Sequence, residues 1–433
     1  VLVIMSDPTD LAAMDKSLHE ARTRRADRHR AVVTTLQESA ASRQADLLRD
    51  LDVRMANKSA GSGVLGYTSH WIINAVVLVA DVATIREIAA RPDVEVVEPD
   101  FEAELIEPVV SKHAYRPGGG EKDDTTLITP GVQAVKAPQV WYELGITGAG
   151  TIVANLDSGV DGSHPLLVDR WLGNRVPASQ AWRDHAGIGS PVFPADQHGH
   201  GTHTMGTIMG AADGDTVGVA PGAEWMASNA VFAHTNNFDN KIIAAFEFFA
   251  DPDGDPTTVD DVPDVVQNSW GVTASEAYGY TLCDSRWWEV IDHCEAAGVV
   301  VLWSAGNEGP APGSLRTPPN RADTPTSSFS IGSTRTSFPY QLSSFSARGP
   351  SQCGGPYAIK PEVVAHGTNV RTSSRGGGYS GGNAGTSFSC PYVAGGIALL
   401  RQVSPSATPD QILETMMNTS IDLGSAGEDN AYG

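Results

Sequence analysis

Apolar residues recur along the chain with one pattern up to about residue 106 and another from about residue 126. In the first part, Val1-Leu2-Val3-Ile4-Met5 predicts a strand. A charged stretch from Asp10 to Asn57 carries Leu11, Met14, Leu18, Leu47, Leu48 and Leu51 at helical spacing. Gly61, Gly63 and Gly66 end it. Strands are predicted over Tyr67–Asn74 and Ala75–Ala80. Asp81 is placed to cap a helix through Ala90, Pro92 marks its end, and Val94–Val97 predicts a last strand. The order β-α-β-β-α-β is that of a ferredoxin-like split unit.

Between Pro108 and Pro130 the apolar period disappears. Pro117-Gly118-Gly119-Gly120 and Glu121-Lys122-Asp123-Asp124 predict an exposed linker, either a spacer or a segment open to proteolysis. Beyond it, the runs Thr151–Leu156, Val265-Val266 and Val299–Trp303 alternate with the helical stretches Ile242–Phe249, Trp288–Ala297 and Val393–Leu400. Near-continuous Val/Ile runs of this kind predict strands buried on both faces, hence an α/β fold with a parallel sheet between helices. Functional residues of such sheets sit beyond the carboxyl ends of strands. Asp157 and Asn307 both follow such runs.

Composition narrows the partners. The 433 residues carry 29 basic and 51 acidic side chains, a net charge of 29 − 51 = −22. Nucleic acid and anionic membrane surfaces share that sign and are excluded as partners. The longest apolar run, Trp71–Ala80, stops at Asp81, short of the ~20 residues that span a bilayer. The chain begins at Val1, so a trimmed leader is expected to precede it. Cys283, Cys294, Cys353 and Cys390 form no Cys-x-x-Cys pair, which argues against a zinc cage and leaves zero, one or two disulfides open.

The chemistry lies in four short segments. Leu156-Asp157-Ser158-Gly159 follows a strand, His200-Gly201-Thr202-His203 opens a small-residue segment, and Gly385-Thr386-Ser387 precedes an apolar helix. A serine hydroxyl needs a general base within hydrogen-bond reach and an acid to hold that base's tautomer. Ser387 is the candidate nucleophile, His200 the base and Asp157 the orienting carboxylate. Gly306-Asn307-Glu308-Gly309 follows a strand end and offers the Asn307 amide to an oxyanion. Each segment alone reads equally well as a turn or a helix cap. Together they supply acid, base, nucleophile and anion donor in the order Asp, His, Ser. An esterase of the nucleophile-elbow type needs Gly-x-Ser-x-Gly and another order. Gly199 and Gly201 between His198, His200 and His203 argue against a helical metal-ligand face, and His-Glu-x-x-His is absent from the sequence. His203 is expected to be buried and hydrogen-bonded.

These segments carry a resemblance to the subtilisin family of serine peptidases. It spans residues 126–433: Gly131–Pro138, the Asp block Gly148–Asp161, the His block His200–Thr207 with Gly218-Val219-Ala220-Pro221, and the Ser block Gly385–Pro391. Asn268-Ser269-Trp270-Gly271, with Asp251-Pro252-Asp253-Gly254 before it, is most like the bacillopeptidase F branch. The resemblance implies a subtilisin-like catalytic domain acting through an acyl-enzyme on protein or peptide substrates, with no catalytic cofactor. It makes Asp157, His200, Ser387 and Asn307 catalytic. It makes Ser269, Trp270, Gly271, Ser304, Ala305 and Gly306 walls of the primary substrate pocket, with the Trp270 ring enlarging one wall. Glu308 at the pocket rim is then either a solvated turn acid or a determinant favouring basic side chains. Residues 1–107 resemble the family's pro-domain, an intramolecular inhibitor and chaperone, with a long helical insert. Residues 108–125 become a linker cut by Ser387, and the chain a secreted, monomeric zymogen with more sequence beyond Gly433. Structural calcium is implied, and the acidic loop Asp251, Asp253, Asp255, Asp260, Asp261 and Asp264 is the loose candidate for it. Cys390 and His366 stand where the family usually has a small residue and proline.

Overall fold

The computed structural model describes residues 1–6, 9–56, 63–100, 104–105, 109, 128–187, 189–212, 214–231, 237–274 and 279–433. The linker expected at 108–125 lies outside the described residues apart from Val109.

The N-terminal unit runs β1 (Leu2–Met5), α1 (Leu11–Glu20), α2 (Arg25–Ala56), β2 (Val64–His70), β3 (Ala75–Ala80), α3 (Val82–Ala89) and β4 (Val94–Glu98), followed by the short strand β5 (Glu104–Leu105). The first four strands form an antiparallel sheet of order β2-β3-β1-β4. Asp10 caps α1 by accepting from the Ala13 N–H at 2.9 Å, and Asp81 caps α3 through the Thr84 N–H at 2.8 Å. The charged stretch is two helices rather than one. Arg22 takes φ 51°, and the Thr23 N–H returns to the Leu18 carbonyl at 3.0 Å, closing the end of α1. The polar run Arg22-Thr23-Arg24-Arg25 has no apolar side chain to carry a helix across that point.

Both faces of this sheet are covered, which explains the unbroken apolar run of β3. Val76 and Leu78 join Val3, Met5, Leu47, Leu51 and Ile88 in a core of the N-terminal unit itself. Ala75 and Val77, on the opposite face by the period of two, join the larger core continuous with the second domain.

The second domain runs α4 (Pro130–Ala134), α5 (Ala137–Leu144), β6 (Ile152–Leu156), β7 (Trp182–Arg183), α6 (His200–Met209), the hairpin β8 (Ala211–Ala212) and β9 (Asp215–Thr216), β10 (Glu224–Ser228), α7 (Phe238–Ala250), β11 (Val265–Asn268) and β12 (Trp270–Gly271). It continues through α8 (Trp288–Ala296), β13 (Val300–Ser304), β14 (Ser330–Thr334), β15 (Val363–His366), the hairpin β16 (Val370–Ser374) and β17 (Gly378–Asn383), α9 (Thr386–Val403) and α10 (Pro409–Thr419). Seven strands make a parallel sheet of order β15-β14-β13-β11-β6-β10-β7. Every residue of β6 and of β13 is buried, as helices on both faces require. The interior strand β6 has β10 on one side and β11 on the other, so the crevice at its carboxyl end is the topological switch point.

The N-terminal unit seats on α7, α8 and the loop before β11. Glu247 of α7 accepts from the Ile72 N–H at 3.2 Å and from the Trp71 N–H, and its other oxygen meets His70 Nδ1 at 2.9 Å. From α2, Arg25 pairs with Asp264 at 2.8 Å and Arg28 donates to the Ala296 carbonyl at 2.9 Å. The helical insert thus belongs to the interface.

One disulfide, Cys283–Cys353, joins the loop before α8 to the loop before β15. Cys294 and Cys390 are buried free thiols, and burial pushes the Cys390 thiol up to about 12. Cys390 is therefore a packed small residue of α9, and an inert one.

Candidate active site

Asp157 is the first residue beyond β6 and is fully buried. Its Oδ1 lies 2.8 Å from His200 Nδ1 and accepts from the Ser158 N–H at 2.7 Å; Oδ2 lies 3.0 Å from the same ring nitrogen. An ionised Asp157 accepts there, so Nδ1 carries the proton and Nε2 is the basic nitrogen. His200 opens α6. Gly199, at φ 107°, makes the turn before it, and a Cβ on Gly201 would lie 2.0 Å from the Gly159 carbonyl oxygen. The small residues of this block let helix and strand end approach closely enough for the pair to form.

Ser387 sits in the first turn of α9 and is buried, with Gly385 before it at φ 155°. The next ring, Phe388, lies 6.5 Å from the His200 imidazole, centroid to centroid. The nucleophile candidate therefore stands at a helix N-terminus beside the base, where the helix dipole favours developing negative charge. Asn307 is tied to the same turn. Its Oδ1 accepts from the Thr386 N–H at 2.9 Å and the Thr386 hydroxyl at 3.0 Å. That fixes the amide orientation, with Oδ1 on the turn and Nδ2 as the donor end.

The expected pocket walls converge on this turn. The Ser304 hydroxyl donates to the Thr386 carbonyl at 3.1 Å, the Ser269 hydroxyl to the Ser387 carbonyl at 3.3 Å, and the two hydroxyls are 3.0 Å apart. The Gly306 N–H donates to the Thr386 hydroxyl at 3.3 Å, while Ala305 packs with Leu315 and Ala347. Trp270 and Gly271 offer backbone, pairing antiparallel with Leu105 and Glu104 of β5. The Trp270 ring does not enlarge a pocket wall. It is fully buried, with β5 in place, against Phe238, Trp287 and Trp303 at 4.9–5.6 Å, and its N–H donates to Asn268. Glu308 is not a solvated turn acid either: Arg316 donates to its Oε1 through Nε at 2.8 Å and Nη2 at 2.5 Å.

Two features escaped the sequence reading. Asp196 is buried and takes five hydrogen bonds: on Oδ1 from the Ser158 hydroxyl and the His198 and Gly199 N–H groups, on Oδ2 from the N–H and hydroxyl of Thr202. The Ser158 hydroxyl in turn accepts from the Gly201 N–H at 3.0 Å. One carboxylate thus locks the strand end holding Asp157 to the helix start holding His200. Its signal was an acid four residues ahead of the histidine. The other feature is Arg316, whose Nη1 also reaches the Gly271 carbonyl at 3.1 Å.

His203 is buried less completely than expected; burial, then the neighbouring His200, pushes its imidazole down to about 4. Most carboxylates of the acidic loop have protein partners, while both oxygens of Asp261 and Oδ1 of Asp251 are buried with no hydrogen-bond partner among the described residues. Asp264 is held by Arg25, Arg401 and the Ile152 N–H, Asp253 and Asp255 turn onto Thr258 and Thr257, and Asp251 accepts from Gln37. Burial, then Asp253, pushes the Asp261 carboxyl up to about 7. Among the described residues no group of three His, Cys, Asp or Glu is arranged to hold a metal.

A doubly covered parallel sheet, a buried Asp–His pair beyond an interior strand at the switch point and a serine at a facing helix N-terminus define the class of triad serine hydrolases. The subtilase family profile matches residues 148–433, and the chain belongs to that family. It is 31% identical to Bacillopeptidase F of Bacillus subtilis over 97% of this chain and 29% of that protein. It is 28% identical to Subtilisin E of the same organism over 82% of this chain and 77% of the relative. The fold is similar to that of the S41 psychrophilic protease, with a TM-score of 0.53 at 24% identity over 66% of this chain and 90% of that one.

Proposed function

We propose that the chain is an autoprocessed serine endopeptidase zymogen. Ser387 attacks the scissile carbonyl, His200 Nε2 takes its proton and returns it to the leaving amine, and Asp157 holds the imidazole. The Ser387 N–H and the Asn307 amide receive the oxyanion. The acyl-enzyme is then released by water through the same base.

The observation that carries this reading is β5. Residues Glu104–Leu105 of the N-terminal unit pair antiparallel with Gly271 and Trp270, as an added substrate strand would. Further along, the Val109 N–H donates to the Ala384 carbonyl at 2.8 Å, three residues before Ser387. With Leu105 held on Trp270 and Val109 on Ala384, the first bond cut is proposed to lie between these two residues, at the start of the linker. The N-terminal unit, as far as that cut, then acts as inhibitor and chaperone of the domain that follows. Its seat on Glu247 and Asp264 and the shared core support that role. The disulfide supports a secreted protein, since such bonds persist in oxidising compartments.

The test is labelling of the purified protein with a fluorophosphonate. A stoichiometric adduct on Ser387, lost in His200→Ala, is expected. A protein that is processed and cleaves peptides without any adduct on Ser387 contradicts the proposal.

A further inference from the structure

The reading of the cleft as a peptide-binding site leaves one charged pair unexplained. Arg316 and Glu308 sit between the two strands that wall the primary pocket. Arg316 Nη1 holds the Gly271 carbonyl on one wall, and its Nε and Nη2 hold Glu308 Oε1. On the other wall a Cβ added to Gly306 would come within 2.5 Å of Glu308 Oε2 and 3.3 Å of Arg316 Cγ, so the pair rests directly on bare backbone. Neither is a loose surface group, with side-chain exposures of 13% for Arg316 and 31% for Glu308. Glu308 Oε2 is buried without a hydrogen-bond partner among the described residues.

We propose that Arg316 determines specificity at this pocket. Its guanidinium, held between the Gly271 carbonyl and Glu308, cancels that carboxylate, so the residue before the scissile bond is accepted when it is uncharged. A lysine or arginine there meets Glu308 and Arg316 together, and so does a glutamate; each finds as much repulsion as attraction and leaves its own hydration behind. A charge preference is latent in both directions and emerges when one partner is removed. An isolated charge about 5 Å from a substrate charge, in an effective dielectric between ~20 and ~80, changes relative rates by about tenfold or more.

This inference rests on the peptidase reading above, and the test separates the two. The mature enzyme is assayed on three peptide substrates that differ only before the scissile bond, carrying Gln, Glu or Lys, and kcat/KM is compared for wild type, Arg316→Met, Glu308→Gln and the double variant. Wild type is expected to prefer Gln over both charged residues. The Lys/Glu ratio should rise about tenfold in Arg316→Met, fall about tenfold in Glu308→Gln, and return close to the wild-type value in the double variant. A ratio within twofold of wild type in both single variants overturns the proposal, as does a wild type that prefers Lys or Glu over Gln. Arg316→Lys keeps the charge and should keep the wild-type ratio, so it carries the test if Arg316→Met fails to fold. A wild type that cleaves none of the three and takes no fluorophosphonate label fails the peptidase reading instead.

Discussion

Asp157, His200, Ser387 and Asn307 were legible because each stands in a contiguous block of small residues whose backbone demands are themselves visible. Gly199 and Gly201 mark the close approach of α6 to β6, and Gly385 marks the turn into α9. Asp196 and Arg316 were not legible, because their meaning comes from partners brought together only by folding. Ser387→Ala and Asp157→Asn should lower kcat by about 10⁴-fold or more. Asn307→Ala should cost about 10²–10³-fold in kcat with KM little changed, since its donor acts on charge present only in the transition state. Asp196→Asn replaces two acceptor oxygens by one and sets an amide N–H against a donor. Steady-state kinetics should show kcat reduced by about 10²-fold with KM within a few-fold, the mark of a displaced Asp157–His200 pair. A KM rise at constant kcat would instead assign Asp196 to substrate binding.

At the scale of elements, Ala75–Ala80 and the Asp81-capped helix were predicted close to their observed limits, whereas β2 runs Val64–His70 rather than Tyr67–Asn74 and β10, β14 and β15 were not predicted. The break between α1 and α2 was missed because a solvated polar run ends a helix without glycine or proline. The docking of α2 was missed because its partners, Asp264 and the Ala296 carbonyl, lie over 200 residues away. Glu247 closes the turn Trp71–Ile72 and meets His70, so Glu247→Ala leaves two buried N–H groups without an acceptor. Inhibition of the mature domain by separately added residues 1–107 should weaken by about 10- to 100-fold. An unchanged inhibition constant would mean that β5 and the shared core hold the complex without this contact.

Across the whole molecule, buried imidazoles and buried carboxyls pull the response to acid in opposite directions. Burial is the first cause that pushes His29, His185, His203 and His366 each down to about 4. Unfolding returns them to about 6.5, so the unfolded chain binds more protons below that value. Their contribution is complete above about pH 6.5 and is lost as pH falls towards 4. Asp239 and Asp261, raised to about 7, and Asp251, Glu295 and Glu362, raised as well, all chiefly by burial, act in the opposite sense over the same interval. The two sets oppose one another, so the melting temperature of the Ser387→Ala chain should change little between pH 7 and pH 5, and a steep change in either direction would contradict these assignments.

The central claim is that Ser387 cuts its own chain between Leu105 of β5 and Val109. Intact-mass spectrometry of wild type and of Ser387→Ala, each purified alone, tests it most directly. Wild type should yield a domain whose first residue falls between Ile106 and Val109, while Ser387→Ala stays uncut. Cleavage of Ser387→Ala at the same bond, or a wild-type first cut outside the interval from Leu105 to Val109, would contradict the account.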